Sequence, residues 1–285
     1  MINSTRYRLS AEINRQSQLA RDIVRLQTEI STGKRIQAPS DDPTASARIS
    51  EIARTQADEV AYSRNLDFAA SLADRADTAL AGVTIAVDRA RELMLSASSG
   101  TVSADDRRIV SAELRGLAEQ ITALSNAVDN RGAPLFRIGD PLEIPVAAGI
   151  AVAAVGSRTE IFDSVQTVDG PQSFVQLLND AAAALDEPDI SLRQAATDAS
   201  LVELKAAVEH VAAVAGQQGV RANRIDALQD RSVDAKLQLE EERVGLEATD
   251  ITQVIARLQS KQLTLEAAQA VFARINQTGL FDLLR

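Results

Sequence analysis

The single histidine, His210, sits in the stretch KAAVEHVAAV. One imidazole in a chain without cysteine cannot complete the usual zinc set, so His210 reads as a structural or surface residue. The GKR triplet at 33–35 lacks the earlier glycine and the strand of a phosphate-binding loop. Ser98–Ser99–Gly100 reads as a loop and has none of the surroundings of a nucleophile elbow. Asp41–Asp42 could start a calcium loop, but the further spaced ligands are missing. Capping of a helix accounts for this pair better. The run Glu240–Glu241–Glu242 reads as a solvated helix face. No residue is therefore assigned to catalysis, to a cofactor or to a metal, and the chain is expected not to be an enzyme.

The elements have to carry the function instead. The chain has 285 residues, of which 45% are hydrophobic, enough for one large domain or two modest ones. It has no Trp, and aromatics make up 3%. Slim, closely packed helices suit such a core better than a thick globule does. The net charge of −10 argues against non-specific nucleic-acid binding, which needs a basic face. Residues 1–35 are the exception, with seven Lys/Arg against Glu12, Asp22 and Glu29. The absence of Cys excludes disulfides and thiolate metal sites. The opening MINSTRYRLSAEINRQSQ has no apolar core of a Sec signal, so an exported chain is expected to use another route. No run reaches the ~18 apolar residues of a membrane span, and no membrane is expected as a partner.

Apolar residues at spacings of three and four (Leu9, Ile13, Leu19, Ile23, Leu26, Ile30) predict a first helix with a narrow stripe. Gly33 suits its C-terminal cap. In STGKRIQAPSDDP, Pro39 disfavours a helical Ala38, Asp42 suits an N-cap and Pro43 the first helical position. A second helical pattern runs from Pro43 almost to Ser98, with Gly82 inside it. At ~1.5 Å per residue it would be about 80 Å long, which favours a rod-like bundle. Ser103, with Asp105 and Asp106 behind it, predicts a third helix ending near Asn130–Gly132. Residues 133–171, with several Pro and Gly and the alternations Leu142/Ile144/Val146 and Ile150/Val152, predict short strands. Such a sheet needs helices to pack on. SFVQLLNDAAAAL predicts a helix stopping before Pro188, and another pattern runs from about Asp189 to Leu246. From Asp250, Ile251, Leu258, Leu265 and Phe272 lie seven apart, a heptad seam that needs a partner; Val254, Ile255, Ala268 and Ile275 flank it.

The fold expected is mainly α: a long antiparallel helical bundle or coiled coil made by the N- and C-terminal regions, with a small β-rich insert in mid-chain. The terminal stripes either pair within one chain and do nothing more, or also pack against neighbouring subunits head to tail. Pattern alone does not separate the two.

Three stretches resemble the flagellin superfamily. STGKRIQAPSDDPTASARI (31–49) resembles the segment joining that family's first two helices, in the form seen in its junction branch. GQQGVRANRIDAL (216–228) is similar to a stretch of its returning helix. TDITQVIARLQSKQLTLEAAQAVFARINQTGLFDLLR (249–285) is similar to its C-terminal helix. RGAPLFRIGD and a reduced insert depart from the larger β domain usual in that branch.

The resemblance implies a structural, non-enzymatic protein of the bacterial flagellum, exported by the flagellar type III channel and joining hook to filament. A short filament flagellin is the alternative, and a cytoplasmic coiled-coil adaptor a more distant one. It implies terminal helices that are disordered in the free monomer and form an inner coiled coil once assembled. Residues 1–41 and 250–285 would be that inner part, 42–132 and 172–249 a rod of long helices, and 133–171 the insert. The interface would use Leu9, Ile13, Leu19, Ile23, Leu26 and Ile30 at one end. Ile251, Ile255, Leu258, Leu265 and Phe272 would serve at the other, with the turn set by Gly33, Asp42 and Pro43. The implied partners are copies of the chain, an adjacent hook-associated protein, flagellin and an export chaperone.

Overall fold

A computed structural model describes residues 2–99 and 102–281, with the side chains of Tyr7 and of residues 10–274 within them. The order along the chain is α1 (Ile2–Thr32), α2 (Pro43–Ala97), α3 (Ala104–Ser125), β1 (Glu143–Ala147), β2 (Ile150–Ala153), α4 (Arg158–Phe162), β3 (Val165–Thr167), β4 (Gly170–Gln172), α5 (Phe174–Asp186), α6 (Ile190–Glu247) and α7 (Ile251–Phe281). The mainly helical fold with a small mid-chain β insert is as the sequence leads one to expect. The chain divides into two compact units, Met1–Gln56 with Lys236–Arg285, and Ala57–Ala235. The division falls inside α2 and α6, where neither helix is broken.

The unit formed by residues 57–235 holds most of the core. Along α2, Leu66, Ala69, Ala73, Ala76, Leu80, Val83, Val87, Ala90 and Met94 are buried at helical spacing. They pack with Leu114, Ala118 and Ile121 of α3, with α5, and with Leu204, Ala207 and Val211 of α6. Alanine so frequent on the inner faces lets the helices approach closely, as the composition suggests. Gly82 serves the same end: a Cβ there would lie 3.0 Å from Cδ1 of Leu124 on α3. α3 starts as expected, with the Ser103 hydroxyl accepting from Asp106 N. It ends at Ser125, however, and not near Asn130–Gly132. There the Asn126 and Ala127 amides bond three to four residues back, and Val128 instead bridges Pro134.

The insert contains two antiparallel hairpins, β1–β2 and β3–β4. Ile144, Val146 and Val152 are buried against the helices, which gives the first hairpin the support its few residues need. Asn65 Nδ2 of α2 donates to Pro145 O (2.7 Å), and Gln218 Nε2 of α6 donates to Ala154 O (2.9 Å). Between the hairpins lies α4, where strands and turns were expected. The Ser157 hydroxyl accepts from Glu160 N and nucleates this single turn. Phe136, Phe162 and Phe174 meet edge to face beneath the insert, at 4.9 and 6.5 Å between ring centres. Half of the chain's six phenylalanines thus gather in one buried cluster.

The candidate assembly surface

In the other unit, α1 and α7 pack on each other as an antiparallel pair. Lys261 Nζ reaches Asp22 Oδ2 at 2.9 Å, and the Thr249 hydroxyl donates to Glu29 Oε1 at 2.7 Å. Between these polar ties runs an apolar line. On α1 it comprises buried Leu19 and half-buried Ile23, Leu26 and Ile30. On α7 it comprises Val254, only 2% exposed, and half-buried Leu258, Leu265 and Phe272. The α7 line continues through half-buried Lys261 and Ala268, so its steps alternate four and three residues. That is the spacing of a coiled-coil seam. Gln16 interrupts it on α1; its Nε2 is buried with no hydrogen-bond partner among the described residues.

The expected interface residues divide into two groups. Leu19, Ile23, Leu26, Ile30, Leu258, Leu265 and Phe272 lie on the line between the two helices. Ile13, Ile251 and Ile255 are exposed. The side chain of Leu9 lies outside the described residues. Ile251 is seven residues before Leu258, yet the seam turns on Val254, three residues further along. On a helical wheel Ile251 and Ile255 stand about 60° and 100° from Val254, at and beyond the edge of what one partner helix covers. Sequence spacing found the line but took Val254 for a flanking residue.

A second apolar side was not singled out in the sequence at all. Val24 on α1 and Leu263 and Val271 on α7 are large and exposed, and Ala256, Ala267, Ala270 and Ala273 are exposed with them. The apolar residues of α7 thus surround the helix, while α1 covers one strip. A helix with apolar residues on more than one face has more than one strip to bury. The signal was present in the sequence as the apolar residues left over once the heptad line was taken out.

The connections at the base of this pair are fixed by hydrogen bonds. Gly33, at φ +68°, ends α1, and its amide donates to Glu29 O. Asp42 Oδ1 accepts from Ala45 N at 3.0 Å, so Asp42 caps α2 and Pro43 is its first residue. Asp250 caps α7 in the same way, accepting from Gln253 N. The two connections also strap each other. Arg35 N donates to Glu247 O (2.7 Å), Thr249 N donates to Gly33 O (3.1 Å), and Lys34 Nζ meets Glu247 Oε2 at 2.6 Å.

Asp41, the other half of the aspartate pair, accepts from Ala38 N and Gln37 N and pairs with Arg25 at 3.1 Å. These backbone amides, ahead of Arg25, hold its carboxyl below the ordinary carboxylate value. A lowered pKa means that the folded turn favours the ionised form. Its contribution is complete above the ordinary value and is lost as the pH falls through the folded one. The amide signals of Gln37 and Ala38 are expected to shift and to lose exchange protection below about pH 4. In Asp41→Ala that dependence on pH should be absent.

The remaining residues weighed for chemistry have structural partners. His210 Nε2 lies 3.1 Å from Ile161 O, and the ring tilts against Phe174. Glu242 pairs with Arg48 at 2.7 Å, and Glu240 bonds Arg243 and Gln56. Ser98 Oγ donates to Leu95 O.

Comparison with known proteins finds relatives by sequence and by fold. Residues 2–138 match the family described as the bacterial flagellin N-terminal helical region. The chain is 27% identical to flagellar hook-associated protein 3 of Escherichia coli over 90% of both chains. A flagellar hook-associated protein of Vibrio parahaemolyticus shares the fold, with a TM-score of 0.64 at 22% identity, over 72% of this chain and 99% of that one. So does the flagellar junction protein of Legionella pneumophila, at 0.57 and 14% identity, over 70% and 100%. A chain that follows hook-associated protein 3 through nine-tenths of its length is a homologue of the flagellar hook-associated proteins, with the flagellin N-terminal helical region over residues 2–138.

Proposed function

We propose that this chain is a structural subunit that joins hook to filament and assembles through its two terminal helices, with no catalytic step. The observation that carries the reading is the apolar side of α1 and α7 that their own pairing leaves exposed. Burial yields roughly 25 cal/mol per Å2 of apolar surface, so the monomer leaves that contribution unused and neighbouring copies can supply it. Residues 1–41 and 250–285 act as the inner coiled coil, 42–132 and 172–249 as the long-helix rod, and 133–171 as the small β-rich insert. Gly33, Asp42 and Pro43 hold the turn between inner and outer parts. The partners are further copies of the chain, an adjacent hook-associated protein, flagellin, and a chaperone during export by the flagellar type III route. The site of action is the flagellum outside the cell.

Immunogold labelling of isolated flagella tests the reading. A band at the distal end of the hook is the expected result. Label along the whole filament would make the chain a flagellin, and label confined to the cytoplasm would overturn the reading altogether.

A further inference from the structure

The insert carries two features that the terminal helices do not explain. The first is a cleft of about 250 Å3 where the insert meets α2. Phe68, Leu72 and Leu135 form its apolar floor, exposed Leu142 lines it beside them, and the exposed Arg131 and Arg137 are its rim. The Arg131 guanidinium lies over the Phe68 ring at 4.2 Å. The Arg137 guanidinium has no hydrogen-bond or ion-pair partner among the described residues, and Arg137 is exposed. Asp129 also lines the cleft, but its carboxylate already accepts from the amides of Arg131 and Ala133. Sites for drug-sized molecules and cofactors run from about 300 to 1,000 Å3, so this one suits a side chain or two. Its chemistry asks for an apolar group with a carboxylate beside it.

The second feature is the tip of the β3–β4 hairpin, Val168–Asp169. Val168 is 89% exposed, the most exposed large apolar side chain among the described residues. Asp169 beside it is exposed too. The ladder from Val165–Gln172 to Thr167–Gly170 holds the tip, and the Thr167 hydroxyl donates to Gly170 O. The surroundings are negative: burial first, then Asp180 and Asp169, raise the pKa of Glu203. The tip offers the pair of groups that the cleft asks for, with opposite charge. Val168 is bare in this chain, which leaves the tip free to reach the cleft of another copy.

We infer that the insert is a second assembly contact, in which the Val168–Asp169 hairpin tip of one copy seats in the Phe68/Leu72/Arg131/Arg137 cleft of the next. The contact is heterologous, tip to cleft, so each copy offers one half to the copy before it and the other half to the copy after it. Valine fills the apolar floor, and the Asp169 carboxylate meets the arginine rim, where a guanidinium can bind it with two hydrogen bonds. The inference rests on the reading that copies of the chain assemble side by side.

The chain has no cysteine of its own, which makes disulfide trapping clean. Full-length Val168→Cys and Arg137→Cys are mixed at high concentration and oxidised. Val202→Cys, also exposed, replaces Val168→Cys as the control pair. The mixed 137–168 dimer is expected at several times the control yield. Arg131→Glu on the Arg137→Cys partner, or Asp169→Arg on the Val168→Cys partner, should bring the yield to background, and the two charge reversals together should restore it. A 137–168 yield no greater than control overturns the inference. A self-pairing Ile13→Cys variant, run in parallel, reports on assembly through the terminal helices. Strong Ile13 cross-linking without the insert pair therefore sinks this contact alone, whereas failure of Ile13 cross-linking counts against the assembly reading.

Discussion

Leu263→Asp is expected to leave the isolated chain as helical as the parent and to abolish its incorporation into flagella. Leu263 is 69% exposed on the side of α7 that α1 does not cover, so a carboxylate there costs the monomer little. In an assembly that buries this side, the same carboxylate loses its water without gaining a partner. A penalty of about 3 kcal/mol per contact would reduce incorporation about a hundredfold, because each 1.4 kcal/mol is a factor of ten. The contrast with Leu265→Asp is the informative part. Leu265 lies on the line between α1 and α7 and contributes to their pairing inside one chain. That variant should lose protease resistance in both terminal helices as well as incorporation, while α2 to α6 stay folded. Circular dichroism, limited proteolysis and a swimming assay separate the two. Normal motility in Leu263→Asp would show that the exposed side makes no contact of consequence.

Phe174→Ala should be the most damaging single change in the core. Phe174 is 1% exposed, opens α5, meets Phe162 edge to face and lies against His210. Removing a buried Phe side chain typically costs about 3–5 kcal/mol, the lost transfer energy plus the cavity left behind. Whole domains are stable by only about 5–15 kcal/mol, so a large part of the stability would go. Urea unfolding should show a clearly lower midpoint for the unit of residues 57–235. An unfolding free energy within about 0.5 kcal/mol of the parent would mean that the site collapses around the gap without cost.

Much of this architecture was legible because the chain writes its helix ends in strong punctuation. Asp42–Pro43 and Ser103 cap where they should, and α5 and α6 lie where the apolar periodicity put them. The failures share a physical character. α3 stops at Ser125 although the apolar pattern runs on, because Val128 finds a bridge to Pro134, a contact no local rule anticipates. α4 is one turn, too short for periodicity, although Ser157 followed three residues later by Glu160 is the pattern of a capping box. The heptad line on α7 was visible, but which apolar residue faces inward depends on where α1 lies, and Val254 could not be told from Ile251 without it. The boundary between compact units falls inside α2 and α6, where no Gly or Pro marks it. It reflects what the helices pack against, not what they are made of.

The mutual strap at the base of the terminal pair has a mechanical consequence. Gly33 with Thr249 and Arg35 with Glu247 tie the outgoing and returning connections to one another. A pull or twist on either terminus therefore loads both backbones at once, and the short ladder between them is sheared as a set instead of being peeled one bond at a time. A subunit wired in this way can pass rotation along through two strands of covalent chain, and neither connection has to bear the strain alone.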